Sequence, residues 1–130
     1  MRSVKSDPKP TVAAIPPFRT TLAELSSELG LLSVSGELDL YVAQELRESL
    51  ATAQALPRLV VDLSGASFLD STICGVLVGE AKRRRGTGEL VLVKNGSVAT
   101  RVLDVAGLDR FIRIFPTLQG ALDELLVKAS

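Results

Sequence analysis

The chain has 130 residues with 15 basic and 15 acidic side chains, and 46% of the residues are hydrophobic. This length and composition predict one globular domain with a substantial core, and the zero net charge gives no reason to expect a nucleic acid partner. The sequence contains no histidine. Serine and cysteine catalysis that depends on histidine, and metal sites with histidine ligands, are therefore excluded.

Two further features bear on the cellular location. The single cysteine, Cys74, lies in an apolar run and cannot form an internal disulfide, which suits the cytosol. The N-terminal sequence MRSVKSDPKP lacks the apolar segment of a signal peptide, and no apolar run approaches the roughly 20 residues of a membrane-spanning helix. We therefore expect a cytoplasmic protein without membrane contact.

The first 17 residues differ in composition from the remainder of the chain. They contain Pro8, Pro10, Pro16 and Pro17 among scattered polar residues, and they show no hydrophobic periodicity. Proline removes backbone hydrogen-bond donors, and polar segments of this kind bury too little apolar surface to fold. We predict a disordered, proline-rich leader at residues 1–17 and one domain at residues 18–130.

Strand and helix patterns alternate along residues 18–130. A hairpin turn at Ser26–Gly30 separates the first two strands, and Asp39, Ser97 and Thr117 precede three of the helices as capping residues. The predicted strands lie near residues 18–25, 31–38, 59–63, 90–93 and 111–115, and the predicted helices near residues 39–56, 72–85, 97–106 and 117–126. The order β-β-α-β-α-β-α-β-α predicts an α/β fold with a mixed, mostly parallel sheet of about five strands and about four helices.

Two features of the helix near residues 72–85 each allow a structural and a functional explanation. Gly75 and Gly79 share one helical face and destabilise a helix, which favours close packing on the sheet or, alternatively, a smooth surface that another protein approaches. The basic run Lys82–Arg85 could bind phosphate groups, but cations also suit the dipole at the end of a helix. We interpret the run as a solvated helix end.

The stretch Asp70-Ser71-Thr72 places an acid and two hydroxyls between a strand and a helix. In an α/β unit such a turn lies at the carboxyl edge of the sheet, where ligands and partners usually bind. A single residue suffices to cap the helix, and Asp39 begins another helix after a strand in the same way. We therefore expect both turns to share one exposed edge of the sheet, with Ser71 on its surface.

A phosphate group on Ser71 is compatible with this position. The dipole at the helix N-terminus accommodates the added negative charge, so the domain is expected to stay folded. A partner packed against Ser71 would meet added bulk, a charge that must lose its water, and repulsion from any acid of its own. Ser71 is therefore a candidate for a phosphorylation switch.

Four segments follow one another in an order and at a spacing typical of one family. They are Gly36-Glu37-Leu38-Asp39, Leu59–Leu63, Ser67–Thr72 and Leu103–Leu108. Together they resemble the STAS domains of bacterial anti-sigma factor antagonists, over about residues 18–126. The resemblance implies a STAS fold and a cytoplasmic regulator of transcription that binds a serine-kinase anti-sigma factor and so frees a sigma factor.

The resemblance also implies roles for individual residues. Ser71 matches the residue that the kinase phosphorylates, with Thr72 as the second choice, and a serine phosphatase would restore binding. The family usually has glycine at the position of Ile73, so this branched side chain is expected to narrow the approach of a kinase loop or to change the choice of partner. The residues expected to bind the partner are Asp39, Asp70, Ser71, Thr72, Ile73 and Gly75.

Two other functions are compatible with the sequence. A receiver-like domain would carry the phosphate on Asp70 with Lys94 nearby, but no acidic pair ends the early strands to hold Mg²⁺. Alternatively, the chain is a non-catalytic STAS subunit of a lipid-transport or signalling complex. The sequence shows no nucleophile and base pair, phosphate-binding loop or metal cluster, so we expect neither an enzyme nor a bound cofactor or metal.

Overall fold

The computed structural model of the chain describes residues 17–95 and 107–129. The predicted leader up to residue 16 and the helix predicted at residues 97–106 lie outside the described residues. Pro17 is placed against the domain, because a Cβ atom at Gly36 would lie 2.6 Å from the carbonyl oxygen of Pro17. Gly36 also has a φ angle of 97°. Only glycine suits both this backbone conformation and this close approach.

The described residues form a five-stranded sheet with helices on both faces. The elements are β1 Arg19–Glu24, β2 Leu29–Leu38, α1 Ala43–Thr52, β3 Arg58–Leu69, α2 Ser71–Arg84, β4 Glu89–Val93, β5 Arg113–Phe115 and α3 Leu118–Ala129, with 3-10 turns at Leu40–Val42 and Leu108–Arg110. The strand order is β1-β2-β3-β4-β5, in which β1 is antiparallel to β2 and the other pairs are parallel. The predicted mixed, mostly parallel sheet is therefore confirmed.

The side chains of β3 contribute to two separate cores. Leu59 and Val61 pack in one cluster with α1 and α2, whereas Val60 packs in a second cluster with Leu125 of α3. Successive side chains of a strand point to opposite faces, so a strand covered on both sides is apolar at nearly every position. The helices α1 and α2 consequently lie side by side on one face of the sheet.

Several element boundaries differ from the sequence-based prediction; for example, β5 begins at Arg113 and not at residue 111. The hairpin turn is shorter than predicted, because β2 already begins at Leu29, which is completely buried. The strand β3 is longer than predicted and continues beyond Leu63 to Leu69, because its second half pairs with residues 35–38 of β2. Ser64-Gly65 has the composition of a turn, yet the ladder continues past it with a shift in register.

One member of the basic run at the end of α2 is buried, so the interpretation of the whole run as a solvated helix end is wrong. Arg84 is only 5% exposed. Its guanidinium donates hydrogen bonds to the carbonyl oxygens of Ala53, at 3.0 Å, and of Leu56, and it pairs with the buried carboxylate of Glu80 at 2.9 Å. The last turn of α2 is thereby fixed to the segment that follows α1.

Candidate functional site

The candidate site lies at the carboxyl edge of the sheet, where β2 and β3 end side by side. Leu38 and Leu69 are paired in register, and the backbone N–H of Asp70 donates a hydrogen bond to the carbonyl oxygen of Leu38 at 3.1 Å. The chain leaves the sheet at Asp39 after β2 and at Asp70 after β3. The two turns are therefore neighbours, as the sequence predicted.

Both aspartates cap the turns that they begin. Oδ1 of Asp70 accepts a hydrogen bond from the backbone N–H of Ile73 at 3.1 Å, and Oδ1 of Asp39 accepts one from the N–H of Tyr41 at 3.0 Å. Both residues have extended backbone angles, as capping residues usually do. Each carboxylate thus satisfies a backbone donor and places a negative charge at the site.

Ser71 and Thr72 are the first two residues of α2, and both are exposed. Because Asp70 already caps the helix, their hydroxyls are not needed for that role. No hydrogen bond joins either hydroxyl to another residue of the part of the chain that the structure describes. Both side chains are therefore accessible to a modifying enzyme or a partner.

Ile73 does not belong to this surface, although the sequence-based interpretation placed it there. Its side chain is completely buried, in the core cluster shared by α1, α2 and β3. The prediction that Ile73 binds the partner is wrong for the side chain, and so is the expectation that it narrows the approach of a kinase. The residue instead fills core volume that a glycine would leave empty.

The next residue, Cys74, is also buried. Burial, together with the negative charge of Asp70, raises the pKa of its thiol above the usual value of 9.0. The thiol therefore stays protonated at neutral pH, and a protonated, buried thiol is a poor nucleophile. We assign Cys74 to the core rather than to any chemistry at the site.

The two glycines of α2 have no packing function within the described structure. Gly75 and Gly79 are exposed, and a Cβ atom added at either position would meet no atom within 4 Å. The explanation that these glycines allow close packing on the sheet is therefore wrong. Each one costs about 1 kcal/mol relative to alanine in an exposed helix. The alternative, a smooth surface for another protein, stays a prediction.

Three large apolar side chains are exposed at the same edge, and the sequence-based interpretation missed them. Tyr41 is 82% exposed, Leu40 57% and Phe68 46%. Their sequence signal is that two bulky apolar residues follow the cap Asp39 immediately, outside the helical spacing of the core. We call this part of the protein the switch surface; it consists of Asp39, Leu40, Tyr41, Phe68, Asp70, Ser71 and Thr72.

The described residues form neither a metal site nor a membrane-spanning helix. No group of three or more acidic, cysteine or histidine side chains in residues 17–95 and 107–129 could hold a metal ion. Within the same residues, no helix is long and apolar enough to cross a bilayer. The receiver-like alternative lacks the acidic cluster that its Mg²⁺ chemistry requires, as far as these residues show.

The mixed sheet and the exposed Ser71 at the start of α2 lie within a stretch of chain that matches a known family of domains. Residues 21–121 match the STAS domain family, so the chain belongs to that family. The STAS fold that the sequence motifs implied is therefore confirmed. The match spans the candidate site and all five strands except the first two residues of β1.

Comparisons with individual proteins give more specific similarities than the family match does. The chain is 34% identical over 96 residues to the anti-sigma-F factor antagonist RsfB of Mycobacterium tuberculosis strain H37Rv, covering 72% of this chain and 79% of that protein. It is similar to the crystal structure of an anti-sigma factor antagonist from Mycobacterium paratuberculosis, with a TM-score of 0.77, 28% identity, and coverage of 83% and 93%. SpoIIAA of Bacillus in its phosphorylated form shares the fold, with a TM-score of 0.62, 24% identity, and coverage of 82% and 99%.

Proposed function

We propose that the protein is a bacterial anti-sigma factor antagonist. In this function it binds a serine-kinase anti-sigma factor through the switch surface, frees a sigma factor for transcription, and is released when the kinase phosphorylates Ser71. The observation that carries the proposal is the position of Ser71, exposed at the N-terminus of α2 beside exposed apolar side chains. The names of the relatives, RsfB among them, support the same function.

The exposed apolar residues give the surface its capacity to bind a protein. Tyr41, Leu40 and Phe68 expose large side chains at one edge of the sheet. Burying such side chains against a partner is favourable at about 25 cal/mol per Å² of apolar area, and tyrosine is frequent among the residues that dominate binding energy. A partner of this surface is therefore expected to cover Tyr41.

A phosphate on Ser71 is expected to leave the fold intact. The side chain is exposed, so the phosphate would stay in water and create no buried charge. It would also lie at the N-terminus of a helix of 14 residues, where the backbone dipole favours negative charge. The solved phosphorylated form of SpoIIAA is one example of a protein with this fold that carries a phosphate.

The same phosphate is expected to weaken the complex. It would add about two negative charges beside the carboxylates of Asp70 and Asp39, on the surface that the partner must dehydrate. The phosphate destabilises the complex and not the free protein, because in the free protein the phosphate stays hydrated. A serine phosphatase that removes the group would restore binding, which makes the switch reversible.

The test is to incubate the full chain with ATP and its cognate anti-sigma factor kinase and to map the phosphate by mass spectrometry. We expect the phosphate on Ser71, resistant to hydroxylamine, and we expect Ser71→Ala to abolish it while Thr72→Ala does not. A phosphate on Thr72 alone would show that Thr72, and not Ser71, is the phosphorylated residue. Labelling elsewhere, or a hydroxylamine-sensitive acyl phosphate on Asp70, would contradict the proposal.

A further inference from the structure

A groove runs between α1 and α2 and begins at the switch surface. Its volume is about 330 Å³, and Thr72, Gly75 and Gly79 of α2 line one wall while Arg47 of α1 lines the other. Thr72 belongs to the switch surface as well. A partner that covers Thr72 on the switch surface would therefore also contact the groove.

The shape of the groove fits a segment of protein better than a small molecule. A volume of about 330 Å³ is at the lower end for ligand pockets, and the apolar lining of the groove consists of two nearly buried side chains, Leu50 and Val76. Here the α2 wall presents two exposed glycines one turn apart, and neither one is required by contacts within the described chain. Glycine at such a place permits the close approach of another backbone.

The groove and the switch surface carry charges of opposite sign. Arg47 is exposed, and no carboxylate among the described residues pairs with it. Glu80 lines the same groove, but its carboxylate is already paired with Arg83 and Arg84. The groove is thus basic at Arg47, whereas the switch surface is acidic at Asp39 and Asp70.

We propose that the anti-sigma factor extends from the switch surface into the α1–α2 groove. In that complex a segment with short side chains lies against Gly75 and Gly79, and a carboxylate of the same segment pairs with Arg47. The opposite charges at the two ends fix the orientation of the partner. This inference rests on the proposed function, and it adds a second contact region together with the chemistry that the partner must present there.

The first test places a larger side chain in the groove. Gly79→Gln in the full chain is expected to weaken binding of the anti-sigma factor at least about tenfold, by calorimetry, because its side chain would occupy the partner's place. The same variant is expected to melt at or above the temperature of the wild type, because glutamine favours helix and its Cβ meets no other atom. A loss of binding without a loss of stability separates this effect from misfolding.

The second test reverses the charge. Arg47→Glu is expected to weaken binding at least about tenfold and to lower the association rate, with a smaller dependence of that rate on salt. The matched control is Arg110→Glu, which makes the same charge change on an exposed residue outside the groove and is expected to change the affinity less than about threefold. Replacing the partner residue that carries the carboxylate with lysine should restore the binding of Arg47→Glu.

These outcomes separate the two proposals. If both Gly79→Gln and Arg47→Glu bind within about twofold of the wild type while Ser71→Asp binds poorly, the groove inference is wrong and the switch survives. If the wild type does not bind the kinase at all, the proposed function and the groove inference fail together. A dimer of the chain that Gly79→Gln dissociates would assign the groove to a second copy and would overturn the inference.

Discussion

The two ends of the sheet differ in whether their charged side chains form ion pairs. At the amino ends of the strands, acidic and basic residues are joined in ion pairs, partly or fully covered by the protein. These pairs are Arg84 with Glu80, Arg58 with Glu28 at 2.6 Å, and Arg113 with Glu89 at 2.6 and 2.7 Å. At the carboxyl ends, the carboxylates of Asp39 and Asp70 accept hydrogen bonds only from backbone N–H groups within the described part of the chain, and Ser71 is exposed.

This difference indicates that the amino end of the sheet stabilises the fold, whereas the carboxyl end is available for binding. Ion pairs and hydrogen bonds at the amino end hold helices and strands in fixed positions, so they contribute to the stability of the fold. The carboxyl end keeps hydroxyls and large apolar side chains in water, which contributes little to the stability of the free chain. Substitutions at the two ends should therefore separate into effects on unfolding and effects on binding.

The largest effect on stability is expected at the amino end. Arg84→Ala removes the buried one of the two arginines that pair with Glu80, which is only 3% exposed, and takes a hydrogen-bond donor from two backbone carbonyl oxygens. Breaking a buried ion pair in this way should lower the free energy of unfolding by about 3–5 kcal/mol, measured by urea denaturation. A loss below about 1 kcal/mol would contradict the assignment of this end to stability.

A matched double variant sharpens that result. Glu80→Met combined with Arg84→Met removes both charges, so no unpaired charge stays buried, although the two carbonyl oxygens lose the same donor as in Arg84→Ala. The double variant should therefore lose less stability than Arg84→Ala, since a buried pair replaced by apolar residues is often neutral or stabilising.

The second effect concerns Ile73, which lies two residues from Ser71 yet belongs to the core. Ile73→Ala leaves a cavity among fully buried side chains and should lower the free energy of unfolding by about 2–5 kcal/mol. Well below the melting temperature, its affinity for the anti-sigma factor should stay within about twofold of the wild type. A large loss of affinity with unchanged stability would show that Ile73 contributes to the binding surface.

The third effect is on binding alone. Tyr41→Ala removes a side chain that is 82% exposed, so the free energy of unfolding should change by less than about 0.5 kcal/mol. If the partner covers Tyr41, the same change should cost about 2 kcal/mol of binding free energy, or roughly a thirtyfold weaker complex. Leu126→Ala is the matched control, because Leu126 is 50% exposed on α3, away from the switch surface.

The smallest effect is a pH dependence from Cys74. Burial raises the pKa of its thiol above 9.0, so the unfolded chain loses this proton at a lower pH than the folded chain does. The stabilising contribution is complete below the unfolded pKa and is lost as the pH rises through the folded pKa. Relative to Cys74→Ala, the wild type should therefore lose stability above about pH 9, by at most about 1.4 kcal/mol per pH unit.

The sequence predicted much of the fold because the patterns that define it are local. The alternation of strands and helices predicts a mostly parallel sheet, and in such a sheet the carboxyl ends of neighbouring strands meet. Asp39 and Asp70 each follow one of these strands, so they are predicted to lie at one edge. Each can cap its own turn through contacts only two or three residues away, which is a distance that a sequence pattern covers.

The features that the sequence did not predict depend on distant contacts or on the phase of a helix. Arg84 is buried because it reaches carbonyl oxygens 28 and 31 residues away, and no local pattern encodes that distance. Ile73 and Gly75 are two residues apart in one helix, so the exact start of α2 decides which one faces the core. The extension of β3 to Leu69 depends on pairing with β2, which outweighs the turn composition of Ser64-Gly65.

The most direct test compares one chain before and after complete phosphorylation of Ser71. Calorimetry should show that the phosphorylated chain binds the anti-sigma factor at least about a hundredfold more weakly, equivalent to about 2.7 kcal/mol, while its Tm stays within about 3 °C of the unmodified value. Equal affinities of the two forms, or a phosphorylated chain that has unfolded, would contradict the account.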